Sequence, residues 1–393
     1  MGNSTFAEVL LGDIADFRNG KAISPDKYTF GGKHPIFGSN GQIACSDEVL
    51  YPEPAIVIGR VGAYCGCVHY VPRASWVTDN AIVALPKVGN DLRYLFYLLG
   101  SLELQRTAIG SAQPLMTQGG LKVVRTKAPP LAEQKAIAGV LGALDDKIEL
   151  NRRMNATLEA MARALFQSWF VDFDPVRAKQ EGRKPTGMDD ATASLFPDSF
   201  RESELGEIPV GWEVVSLETL ASIRGGKQLP TEACLPVGSG TFKVYGANGI
   251  MGCAVSSTHD GFVIAFGRVG AYCGSIHWSL NGAWINNNAS AVVPFEWPTY
   301  TLQSMLNIDF NSMRTGSAQP FIPNGSLALA RVLRPTRPIA DAFCRIVEPL
   351  RRLQADNEEQ SRTLATLRDT LLPKLLSGEL RVLDAERAVS AVA

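Results

Sequence analysis

The chain has 393 residues, enough for two or three domains, with 46% hydrophobic and 20% charged residues and a formal net charge of −1. No apolar run is long enough to span a bilayer. The N-terminal residues lack the basic flank and apolar stretch of an export signal, and the seven cysteines, an odd number, are expected to be reduced thiols. The expectation is a globular cytoplasmic protein without a membrane partner, and not a generic nucleic-acid binder, which is usually basic overall.

In chain order, Ala55-Ile56-Val57-Ile58 runs into Gly59-Arg60-Val61-Gly62 and then Cys65 to Val71, which reads as strand, Gly-rich turn, strand. Ile82 to Leu85 is a further strand, and Leu92 to Leu104 has helical spacing. A long amphipathic helix follows, with apolar residues at Ile137, Leu141, Leu144, Ile148, Leu158, Met161, Leu165 and Trp169, interrupted by Asn151 and Asn155. The stretch 174–187 is polar and punctuated by Pro and Gly, and reads as a linker to a second strand-rich head beginning near Leu205. A second helix carries Ile346, Leu350, Leu353, Leu364, Leu367, Leu371 and Leu375, interrupted by Asn357. Pro349 and Pro373 are expected to kink or shorten it.

The chain repeats itself. Gly59-Arg60-Val61-Gly62-Ala63-Tyr64-Cys65-Gly66 recurs unchanged as Gly267-Arg268-Val269-Gly270-Ala271-Tyr272-Cys273-Gly274, and Gly110-Ser111-Ala112-Gln113-Pro114 recurs as Gly316-Ser317-Ala318-Gln319-Pro320. Phe37-Gly38-Ser39-Asn40-Gly41 matches Tyr245-Gly246-Ala247-Asn248-Gly249, Arg18 to Lys21 matches Arg224 to Lys227, and Trp76…Asn80 matches Trp284…Asn288. All lie about 206 residues apart and in one order. Asn151 and Asn357 keep the same spacing, so the two helices are expected to pack on each other with a buried amide fixing register. The fold class expected is α+β: two strand-rich mixed domains joined by two long helices packed as an antiparallel coiled coil, a pseudo-twofold internal repeat.

Catalytic motifs are missing. There is no P-loop, no Gly-x-Ser-x-Gly elbow and no dinucleotide fingerprint within a βαβ unit. No Asn/Asp-Pro-Pro-aromatic motif of an amino methyltransferase is present, which argues against a self-contained DNA-modifying enzyme. Cys65-Gly66-Cys67-Val68-His69 holds three possible metal ligands. The second copy has Ser275 in place of Cys67, so buried thiols are expected and no metal.

The repeated loops carry chemistry suited to nucleic acid. Arg60 and Arg268 offer bidentate contact to guanine or phosphate. Asn40, Asn248, Gln113 and Gln319 suit adenine, and Lys21 and Lys227 suit phosphates. Tyr64, Tyr272, Ser111 and Ser317 complete the candidate DNA-binding set, with no catalytic residue among them. The alternative is a two-headed scaffold on a coiled coil that binds ligands other than DNA.

Pro130-Leu131-Ala132-Glu133-Gln134-Lys135-Ala136-Ile137, Leu144-Asp145-Asp146-Lys147-Ile148-Glu149-Leu150-Asn151, Phe166 to Phe173 and Glu204 to Glu213 resemble the specificity (S) subunit of type I restriction–modification systems. The resemblance covers essentially the whole chain. It implies target recognition domains at 1–130 and 205–336, a central spacer helix at 131–173, a linker at 174–204, a C-terminal spacer helix at 337–380 and a tail at 381–393. It also implies a non-catalytic protein that reads a bipartite, asymmetric site in double-stranded DNA and docks two methyltransferase subunits, and through them restriction subunits. S-adenosylmethionine is expected in those partners and no cofactor in this chain. The spacer helices are expected to act as a ruler, so that one more turn in the first lengthens the gap between half-sites. Arg337 to Ala342 departs from Pro129 to Gln134, so the two helix starts are not expected to bind partners identically.

Overall fold

The computed structural model describes residues 6–110, 114–237, 239–316 and 319–390. The chain divides into two compact units, Met1–Glu149 with Thr363–Ala393, and Leu150–Arg362. Each holds one head and part of each long helix.

In the first unit a four-stranded antiparallel sheet runs in the order Ala15–Asn19, Ala81–Pro86, Ala55–Gly59, Val68–Val71. A three-stranded sheet joins Gly41–Ser46 and His34–Gly38 antiparallel, with Trp76–Val77 parallel to His34–Gly38. Ala7–Leu10 pairs with Arg125–Ala128. The second unit repeats this plan strand for strand: Ala221–Gly225, Ala289–Pro294, Val263–Gly267 and Ile276–Ser279 in one sheet, then Gly249–Ala254, Phe242–Gly246 and Trp284–Ile285 in another, and Glu213–Ser216 paired with Arg331–Arg334. The run Ala55 to Ile58 does not alternate because both faces of its sheet are covered. Ile56, Ile58, Ile82 and Ala84 face a core shared with the helices. Ala55, Val57, Val77 and Val83 face another cluster with Phe37.

The sheet positions its helix and that helix seats the long one. Asp91 caps Leu92–Ser101 by accepting from the Tyr94 amide, and Gln134 clasps the same cap from the long helix. Its Oε1 accepts from the Asp91 amide at 2.9 Å, and its Nε2 donates to Asn90 Oδ1 and to the Pro129 carbonyl. Ala340 is the repeat equivalent of Gln134. There the second unit uses Trp297 Nε1, which donates to Asp341 Oδ1 at 2.7 Å. The departure seen in sequence is thus a replaced clasp.

The first long helix is Leu131–Phe170 and the second Arg337–Ser377. At 40 residues the first is about 60 Å long. Of the two expected effects of Pro349 and Pro373, a kink or a shorter helix, the second does not occur: the helix runs unbroken through both. Each removes one hydrogen bond, and packing along the helix, not propensity, sustains it. Within the second unit the helices run antiparallel. Asn151 Nδ2 donates to the Asn357 carbonyl, Gln360 Oε1 and Ser361 Oγ, while Asn155 bonds Gln354 and Asn357. The amide layer read from the sequence therefore joins the pair and fixes its register.

The apolar stripe needs correction near the second head. Met161, Ile346 and Leu353 are exposed, while Ala162, Phe166, Phe343, Val347, Arg351 and Gln354 are buried. The helix turns a different face inward there because Arg351 and Gln354 find polar partners on the opposing helix. The span 174–204 is also more structured than a linker. It forms helices Asp174–Gln180 and Asp190–Leu195 and the strand Phe200–Ser203, which pairs with Gly206–Pro209, and it buries Val176 and Phe196. Phe173, the residue that precedes the helix Asp174–Gln180, has φ 57, a costly left-handed conformation, held by edge-on packing against Phe200 and Trp212. In the tail, Val382–Ser390 is helical and buries Ala385 in the first core.

Candidate nucleic-acid interface

Several loops meet at one end of the four-stranded sheet in each head. The register sets this, since Asn19 faces Ile82 and Gly59 faces Ala81. The Lys21 amide donates to the Val77 carbonyl, and the Arg60 amide donates to Asn80. Gly62 N–H donates to the Pro114 carbonyl, and Met116 N–H donates to Arg60. Ile109 and Leu115 bridge each other, and Val61 bridges Leu115, so the Gly59–Gly66 loop is joined to the residues that flank the second repeated motif. The second head has the same joints. Lys227 donates to Ile285, Arg268 to Asn288, Gly270 to Pro320 and Ile322 to Arg268, and Val269 and Thr315 both bridge Phe321.

The glycines are required by close approach. A Cβ on Gly20 would lie 2.1 Å from the Thr78 carbonyl oxygen, and one on Gly226 2.1 Å from that of Asn286. The repeat therefore preserves the way the loops interlock as well as any side-chain chemistry.

This end of the head holds the described candidates. Lys21, Asn40, Tyr64, Lys227, Asn248, Tyr272 and Gln319 are exposed there. Ser111, Gln113 and Ser317 lie outside the described residues. Arg60 and Arg268 differ from the rest. Each is half-buried, with Arg60 Nη1 donating to the Asp79 carbonyl at 3.1 Å and Arg268 Nη2 to the Asn287 carbonyl at 3.0 Å. Each Nε is buried without a partner among the described residues, and the Arg268 guanidinium lies 5.4 Å from the Phe321 ring centre. These arginines brace the loop tips on which the tyrosines stand.

The equivalent amides occupy different hollows. Asn40 lines one of about 420 Å³ with Tyr28, Ile43, Asp79 and Asn80. Asn248 lines one of about 600 Å³ with Tyr245, His277 and Glu358. Asp79 and Asn80 line the first of these hollows and are not among the candidates that the sequence offers. The Trp76…Asn80 and Trp284…Asn288 match was the available signal, read only as evidence of repetition. Its tryptophans donate Nε1 to the Lys21 and Lys227 carbonyls at 2.8 and 2.9 Å.

All seven cysteines are free thiols. Cys65 and Cys273 are buried and donate to the Arg60 and Arg268 carbonyls; burial pushes both thiols up. Among the described residues no group of three His, Cys, Asp or Glu side chains is placed to hold a metal ion. None of their helices is long and apolar enough to cross a membrane.

His69 and His277 stand under the loops as a repeated pair. Their rings lie against Gly41 and Gly249, both at positive φ, and pack beside Phe37 and Tyr245. Each Nε2 is buried without a partner among the described residues. Burial lowers both histidine pKa values, opposed at His69 by the Ser39 backbone. The folded state thus takes up a proton less readily than the unfolded chain. Their stability contribution is complete above about pH 6.5 and is lost as pH falls through the lowered folded values. Melting points should therefore drop from about pH 7.5 to 5.5, and His277→Gln should flatten that slope; an unchanged slope would exclude this source.

The family described as the type I restriction modification DNA specificity domain matches residues 3–160. The chain is 26% identical over 324 residues to the MjaIX type I restriction enzyme specificity subunit of Methanocaldococcus jannaschii, covering 76% of this chain and 71% of that one. It is 24% identical over 376 residues to the HindI specificity subunit of Haemophilus influenzae, covering 77% and 79%. Its fold matches the crystal structure of a type I restriction–modification S subunit from M. genitalium with a TM-score of 0.65 at 17% identity, over 95% of this chain and 97% of that one.

Proposed function

We propose that this chain, which belongs to the family of type I restriction–modification specificity subunits, reads a bipartite, asymmetric DNA site, one half with each head. The observation that carries this reading is the shared loop end. The same loop joints recur in both heads, while the side chains around them differ. One frame with two sets of contacts gives two half-sites of different sequence.

Sequence choice is this chain's task, and methyl transfer belongs to partner subunits that hold S-adenosylmethionine. Two methyltransferase subunits, one for each half-site, supply much of the grip on phosphates, which accounts for the near-neutral charge of this chain. Their docking is supported by apolar side chains exposed on the paired helices. Leu150 and Met161 lie three turns apart on the first, and Ile346 and Leu353 two turns apart on the second. Restriction subunits join through the methyltransferases.

The direct test is to map methylated adenines in a host carrying this chain with its methyltransferase partner. A two-part motif with unlike halves is expected; methylation that does not depend on this chain would overturn the reading. Arg60→Ala should slow methylation roughly ten- to a hundredfold through the first half-site, and Arg268→Ala through the second. Each loses a charge-assisted bond of about 1.5–3 kcal/mol, and about 1.4 kcal/mol is a factor of ten. Folded variants that methylate at the wild-type rate would remove both arginines from the assignment.

A further inference from the structure

The polar positions of the helix pair fall into two classes. Asn151 and Asn357 are equivalent in the repeat, and they meet across the pair. Both helices carry an amide there, so this layer sets register without telling one helix from the other.

The charged positions do tell them apart. In the first unit, Asp145 of the first helix accepts from Arg368 of the second at 2.7 Å, with side chains 21% and 30% exposed. Tyr97 of the head donates to the same carboxylate at 2.6 Å. In the second unit, Glu159 of the first helix pairs with Arg351 of the second, whose side chain is fully buried. That guanidinium also lies 5.4 Å from the Trp278 ring centre. Burial pushes the Glu159 carboxyl up, but Arg351 and Arg163 outweigh it and leave it below the ordinary carboxylate range. In both pairs the acid is on the first helix and the base on the second.

The repeat shows what other pairings would meet. The equivalent of Asp145 is Arg351, that of Ala162 is Arg368, and that of Glu159 is Ala365. In the same register, a first helix against a copy of itself sets Asp145 beside Glu159 of the copy, and symmetry does so twice. A second helix against its copy sets Arg351 beside Arg368, again twice. Like charges sharing desolvated positions without a counter-charge are strongly disfavoured. Near the centre of the pair the opposition recurs in sequence, with Arg152 and Arg153 standing where the other helix has Glu358 and Glu359.

We propose that Asp145, Glu159, Arg351 and Arg368 form a pairing code that admits the first helix only to the second. Another copy of this chain is accepted as a partner through unlike helices alone, and pairing of like halves, which would give a symmetric reader, is rejected. This inference does not rest on the DNA reading.

The test uses full-length chains. One variant combines Asp145→Arg with Glu159→Arg and is basic on both helices. The other combines Arg351→Glu with Arg368→Glu and is acidic on both. Each alone should melt well below wild type, and the chain with all four changes should recover most of the loss. Co-expressed with different tags, the two variants should co-purify one to one, because each supplies the helix the other needs. Two tagged wild-type copies should stay apart, since the helix in the same chain has the higher effective concentration. Three results would each overturn the code: either variant melting like wild type, the fourfold change recovering nothing, or recovery by the fourfold change while the co-expressed variants remain apart.

Discussion

Phe170→Ala should lower the stability of the second unit by roughly 3–5 kcal/mol, the range for emptying a buried phenylalanine site. Phe170 is 3% exposed and lies within ring-contact distance of Phe166, Trp169, Trp212, Tyr300 and Phe343, with centroids from 4.9 to 6.1 Å. These rings belong to the end of the first long helix, to the second head and to the start of the second long helix. Removing the central ring opens a void bounded by large, interlocked side chains that have little freedom to collapse. Phe170→Leu keeps much of the volume and should lose less than half as much. Denaturant unfolding followed by tryptophan emission reports directly, because Trp169 and Trp212 border the void. A loss below about 1 kcal/mol for the alanine variant would mean that the cluster relaxes and does not anchor the head. Methylation through the second half-site should fall more than stability alone requires, since the cluster also orients that head on the helix.

The second large effect concerns the gap between half-sites. The first head packs on Ile137, Leu141 and Leu144 of the first long helix, and the second head on Ala162, Phe166 and Trp169. A longer helix between those stretches should part the half-sites. One extra turn in the first helix alone, the simplest form of the ruler idea, does not achieve this. It slips Asn151 against Asn357 or Asp145 against Arg368, and loss of activity is expected. Seven residues added at matching places in both helices keep the apolar phase. They add about 10.5 Å, or roughly three base pairs at about 3.4 Å each. Methylated-site mapping should then show both half-sites unchanged and the gap three base pairs longer. An active double insertion with the original gap would end the ruler account.

Much of this was legible in the chain. Identical Gly-Arg-Val-Gly-Ala-Tyr-Cys-Gly runs marked a loop with close backbone approaches, because residues packed backbone to backbone tolerate little change. Asn151 and Asn357 stood out as amides in apolar stripes, and they do meet. The hidden features depend on partners distant in sequence. Arg351 and Gln354 look like surface positions and are buried, because Glu159 and Asn155 on the opposing helix satisfy them. Ile346, Leu353 and Met161 look like core and are exposed. The span 174–204 is polar enough to pass for a tether, yet Val176 and Phe196 anchor it. Arg60 and Arg268 read as ligands for DNA from composition alone; only geometry shows their guanidiniums tied to the carbonyls of Asp79 and Asn287.

The two compact units have a temporal consequence. The second is one continuous stretch of chain, residues 150–362, inserted within the first. A ribosome can release all of it before the first unit is complete, because Leu364, Leu371 and Leu375, which close the first core against Leu141 and Leu144, follow it in the chain. Until they emerge, the first reader waits with an open apolar seam. A message truncated just after residue 362 would therefore leave the second unit whole and damage the first, whose head was made earlier.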